Sequence, residues 1–92
     1  MIRRRVVVHG FVQGVFFRGW TQEQAERLGV NGWVRNCPDG SVEAHLSGEE
    51  LAVQELVDRL HGGPPAAIVS HVDAGYNVVG MKAEDAPDIA TV

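Results

Sequence analysis

The chain has 92 residues, 45% of them apolar, and a net charge of −4, so it is long enough for one two-layer core and too acidic for a general nucleic-acid binder. Its single cysteine, Cys37, excludes an intramolecular disulfide and fits a reducing compartment. No apolar segment reaches the roughly 18 residues of a membrane span, and no long apolar stretch follows the basic start as a signal peptide requires. The expectation is therefore one cytoplasmic domain over residues 1–92, with no nucleic-acid or membrane partner, and a monomer.

In chain order, residues 3–10 read as a first strand, because Val6-Val7-Val8 is β-branched. Arg3, Arg4 and Arg5, the only basic run, read as its solvated start rather than as a binding patch. Residues 11–17 read as a loop. From Arg18 to Leu28, Trp20, Ala25 and Leu28 keep roughly to one helical face, and Gly29 is suited to end that helix. Asn31 to Asn36 reads as a second strand, Pro38-Asp39-Gly40-Ser41 as a turn, and Ser41 to Leu46 as a half-buried third strand.

Ser47 with Glu50 three positions later matches a capping box opening the second helix. Val53, Leu56, Val57 and Leu60 follow at i, i+3, i+4 and i+7, and Gly62-Gly63-Pro64-Pro65 ends the helix. Ala67 to about Val79 reads as a further strand, weakened at Gly75 and Asn77, and a short strand is expected over Ile89–Val92. The order βαββαβ predicts an α+β, ferredoxin-like sandwich with two helices on one face of an antiparallel sheet.

One stretch concentrates the chemistry. Val8-His9-Gly10-Phe11-Val12-Gln13-Gly14-Val15-Phe16-Phe17-Arg18 joins a strand to a helix N-terminus. Its glycines permit a tight turn and close approach of backbone to a ligand. Loop amides and the positive helix end converge on an anion, and a guanidinium grips two phosphate oxygens at once. An arginine at a helix start is itself unfavourable, which argues for a nearby anion. Asn36, closing the second strand, is the other residue the topology can bring towards this loop.

The stretch around residues 8–18, with its V-Q-G-V-x-F-R core at 12–18, resembles the first signature of the acylphosphatase family. Gly32-Trp33-Val34-Arg35-Asn36-Cys37-Pro38-Asp39-Gly40-Ser41-Val42, running on to Gly48, is similar to its second. The resemblance covers residues 5–72 and includes Gly62-Gly63-Pro64 with Ala67. It implies hydrolysis of acyl phosphates to carboxylate and inorganic phosphate, with no metal or other cofactor. It implies that Arg18 and the amides of Val12, Gln13, Gly14, Val15, Phe16, Phe17 and Arg18 bind the phosphoryl group, and that Asn36 positions the attacking water. Inorganic phosphate, the product, is then an expected competitive inhibitor. Two departures stand out: Phe11 replaces a commonly basic or polar residue, and Ala83–Val92 lacks the family's aromatic-led strand ending near an Arg-Tyr pair.

Other residues have plainer readings. Cys37 lacks the arginine six positions on that a tyrosine-phosphatase-type loop needs, since position 43 is Glu. His9, His45, His61 and His71 have no metal-like spacing. Gln13 reads as structural within the loop, and Asp39 and Glu43 as turn and strand-surface residues. Two rival functions are less favoured, since one cysteine cannot form zinc-binding pairs and residues 41–46 carry no aromatic. A carrier module like the N-terminal part of hydrogenase maturation proteins predicts downstream Cys-x-x-Cys pairs, and a ferredoxin-like RNA binder predicts exposed aromatics on the central strands.

Overall fold

A computed structural model of the chain describes residues 1–75 and the backbone of residues 90–91. The β-branched run drives β1 (Ile2–Phe11), which pairs antiparallel on one side with β3 (Val42–Gly48) and on the other with β4 (Ile68–Ala74). β3 continues into β2 (Asn31–Asn36) across the hairpin, giving four antiparallel strands in the order β4-β1-β3-β2. A two-residue β5 (Ala90–Thr91) adds to the outer edge of β2 in parallel. The later part of the expected fourth strand, Tyr76–Val79, and the atypical stretch Ala83–Ile89 lie outside the described residues.

Helices α1 (Phe17–Leu28) and α2 (Glu50–Leu60) complete the βαββαβ order. Val53, Leu56, Val57 and Leu60 are all fully buried, as their spacing predicts, and they meet Val6, Val8, Ala44 and Leu46 from the sheet. Burying each such side chain stabilises the fold by about 1.5–3 kcal/mol. From α1, Phe17 and Ala25 enter the same core. Polar ties hold the helices in place: Arg4 donates to Gln54 at 2.7 Å, and Arg59 donates to Gln24 at 2.7 Å.

Three expectations change. Ser47 does not cap α2, because it is buried within β3, opposite Arg3 and Asn31; Glu49 takes the capping position without a side-chain hydrogen bond. Ladder pairing on both sides outweighs one local side-chain bond. Glu43 is not a surface residue, being 4% exposed, and burial raises the cost of its charge. Hydrogen bonds from Arg35, Arg5 and His45 outweigh that cost and hold its carboxyl below the usual range. Finally, Gly10 does not sit at a turn. It lies at a bulge in β1 with φ 126°, where a Cβ would meet the Ile68 carbonyl oxygen at 2.2 Å. The close approach it permits is that of β4, not of a ligand.

Candidate active site

β1 is central in the sheet, so its exit carries the next residues to the middle of one end of the molecule. The loop of residues 12–16 is plugged at both ends, by Val12 at 1% exposure and by Phe17 at 2%. Between these anchors Gly14 has φ 77° and faces empty space, so a ligand can approach its backbone. Phe16 also takes a left-handed conformation, φ 64°, which costs a residue with a Cβ about 1–2 kcal/mol. Its exposed ring lies across Gly19, where a Cβ would come within 2.3 Å of it.

This turn starts α1 abruptly. The first helical bond runs from the Trp20 amide to the Phe16 carbonyl at 2.9 Å. The amides of Phe17, Arg18 and Gly19 are thus without an intrahelical acceptor. No side chain caps this end and no acidic residue lies in the first turn. The positive pole of the helix is uncompensated, and Arg18 adds a full charge to it.

An open cleft of about 250 Å³ lies over this end, lined by Val12, Gly14, Phe16, Phe17, Arg18, Gly19 and Asn36. Arg18 and Asn36 therefore share one cavity wall. Asn36 lies two residues after the fully buried Val34 along β2, which turns it to the same, helix-covered face of the sheet. Neither the Arg18 guanidinium nor the Asn36 amide has a hydrogen bond or ion pair among the described residues. Of the loop residues named from sequence, Val12, Gly14, Phe16, Phe17 and Arg18 line the cleft, whereas Gln13 and Val15 do not. Val15 packs against the core. Gly19 does line it, and its signal in the sequence is its place as the third residue of a helix whose first turn carries no cap.

Gln13 points to the hairpin instead. Its Nε2 donates to the carbonyls of Cys37, at 2.8 Å, and Ser41, at 2.9 Å. Those two residues close the turn themselves, the Cys37 amide donating to the Ser41 carbonyl at 2.9 Å. Asp39 accepts from the Ser41 hydroxyl at 2.6 Å and the Ser41 amide at 2.9 Å, and these bonds hold its carboxyl below the usual range. Cys37 thus serves the hairpin through its main chain.

His9 faces the other side of the sheet, stacked on His71 at 5.7 Å and 3.3 Å from Asp73, away from the cleft. Among the described residues no group of three or more His, Cys, Asp or Glu side chains is arranged to hold a metal ion, and no helix is long and apolar enough to cross a membrane.

Known proteins share this arrangement along most of the chain. The sequence model of the acylphosphatase family matches residues 4–83. An acylphosphatase of Rubrobacter xylanophilus is 63% identical over 71 residues, which are 77% of this chain and 64% of that one. An acylphosphatase of Gloeobacter violaceus is 52% identical over 84% of this chain and 83% of its own length. The crystal structure of the Bacillus subtilis acylphosphatase superposes with a TM-score of 0.91 at 32% identity, covering 100% of this chain and 99% of that one. With both signatures inside the matched stretch and the fold shared along the chain, this protein belongs to the acylphosphatase family of enzymes.

Proposed function

We propose that this chain hydrolyses the carboxyl–phosphate bond of acyl phosphates without a metal, with Arg18 and the neighbouring amides binding the phosphoryl group and Asn36 orienting water. One observation carries the reading: a guanidinium and an amide that have no partner among the described residues line one cleft over an uncapped helix N-terminus.

The chemistry suits such sparse equipment. In the reaction a water oxygen bonds to phosphorus while the bond from phosphorus to the acyl oxygen breaks. The electron pair leaves with the carboxylate, whose low pKa makes a strong general acid unnecessary. The transition state is loose, with charge spread over the equatorial oxygens, so positioning and electrostatics supply most of the rate. Arg18 and the amides meet that charge. Asn36 cannot act as a base near neutral pH, so it only holds the water in line, and the proton passes to the phosphoryl group and remains on inorganic phosphate. On this reading the enzyme works as a cytoplasmic monomer, its single cysteine fitting a reducing compartment.

Phosphate release from benzoyl phosphate, measured with a chelator present, tests this. Turnover survives chelation, and Arg18→Ala and Asn36→Ala each lose about 100- to 1,000-fold in kcat while remaining folded, the loss typical of one transition-state donor. Full activity in either variant refutes the assigned roles. A wild type that binds phosphate but releases none from the substrate points to a carrier instead. Inorganic phosphate inhibits competitively on this account, and non-competitive inhibition counts against the shared cradle.

A further inference from the structure

We propose that Gln13 is a positioning residue, a strap that sets the distance between the phosphate cradle and Asn36, and so governs where the attacking water stands. The inference rests on the proposed reading of the cleft.

The amide end of Gln13 spends both of its hydrogens on main-chain carbonyls of the hairpin, Cys37 at 2.8 Å and Ser41 at 2.9 Å, 24 and 28 residues away in sequence. These carbonyls flank the turn that begins immediately after Asn36. The two structures it joins differ in how they are held. The loop is anchored by the buried side chains of Val12 and Phe17, whether or not Gln13 is present. The hairpin turn is exposed at Asn36, Pro38 and Asp39, and its nearest core side chains, Val34 and Val42, lie on the strands behind it rather than in the turn. The Asn36 side chain has no partner of its own among the described residues, so its place follows that of the main chain beneath it. Releasing the strap therefore moves the water-holding side and leaves the cradle where it is.

The residue type fits the task. Two carbonyls facing one side chain require two donors on one atom, which Gln supplies. Glu has the same length but offers only acceptors to these carbonyls, and brings a negative charge beside an anion site. Met keeps the stem and its packing and donates nothing.

Steady-state kinetics on benzoyl phosphate, with inorganic phosphate as inhibitor, test the strap. Gln13→Ala, Gln13→Met and Gln13→Glu each lose about 10- to 100-fold in kcat, the scale of an ångström-sized misplacement. In the Ala and Met variants, KM and the phosphate inhibition constant stay within about twofold of wild type, because ground-state binding is untouched. Wild-type kcat in Gln13→Met shows that packing alone suffices and overturns the proposal. So does phosphate affinity that falls in step with kcat, since the side chain then shapes the cradle itself. Asn36→Ala run alongside separates the two levels. Full turnover there removes the reading of the cleft, whereas full-speed Gln13 variants beside a crippled Asn36→Ala remove the strap alone.

Discussion

Arg5 and Arg35 on the open face of the sheet and Arg18 at the cleft live under opposite rules. On the open face Arg5 and Arg35 both hydrogen-bond to Glu43, Arg35 at 2.7 Å, and His45 approaches the same carboxylate at 3.3 Å while stacking on Trp33. Every charge in this group has a partner. At the cleft Arg18 has none among the described residues, stands at the positive end of a helix, and shares its cavity with an equally unpartnered Asn36. A satisfied cluster is where the chain stabilises itself. A charge held against its own helix dipole is one the fold maintains at a cost, and an arriving anion cancels that cost.

The contrast predicts opposite effects from similar substitutions. Arg18→Ala brings the largest change, the 100- to 1,000-fold loss of turnover stated above, yet its thermal stability is unchanged or raised by up to about 0.5 kcal/mol as a repulsion is removed. A large loss of stability in that variant breaks the comparison. Glu43→Ala behaves the other way. It costs about 2 kcal/mol of unfolding free energy, the range for hydrogen bonds to charged groups, and leaves kcat at the wild-type value. Urea melts beside activity assays check both halves. A Glu43 variant that is fully stable but slow contradicts the division.

The pH dependence follows from the same carboxylate. Hydrogen bonding to the arginines holds Glu43 below its ordinary range despite its burial, so the folded state binds this proton more weakly than the unfolded one. Its stabilisation is complete above the unfolded carboxylate range and is lost as pH falls through the folded value. Asp39, held down by Ser41, and Asp73, held down chiefly by His71, act in the same direction. Melts of Glu43→Gln from neutral to acid pH are therefore flatter than those of wild type; parallel curves show that Glu43 carries no such linkage. The smallest effect is expected for Arg35→Ala. Its side chain is 47% exposed and Arg5 remains on Glu43, so the urea midpoint moves less than in Glu43→Ala.

Much of the fold was legible because it depends on local periodicity. The alternation of Val42, Ala44 and Leu46 and the spacing of Val53, Leu56, Val57 and Leu60 each declare a buried face. Arg18 and Asn36 were legible as candidates by residue type and position, and the hairpin brings them to one cleft. What escaped depends on long-range partners. The strap from Gln13 ends on two main-chain carbonyls, which no side-chain pattern marks. The burial of Glu43 depends on Arg5, 38 residues away. The expected cap at Ser47 fails because β3 runs further than its alternation suggests and takes that residue into the ladder. Gly10 was visible as a special backbone position, but not that β4 is what approaches it.

The central claim is that the cleft binds a phosphoryl group through Arg18. Calorimetric titration of inorganic phosphate into wild type and Arg18→Ala tests it without any turnover. Wild type binds one phosphate per chain, and Arg18→Ala binds it at least about tenfold more weakly, as the loss of a charge-assisted hydrogen bond requires. Equal affinity in the two proteins contradicts the account.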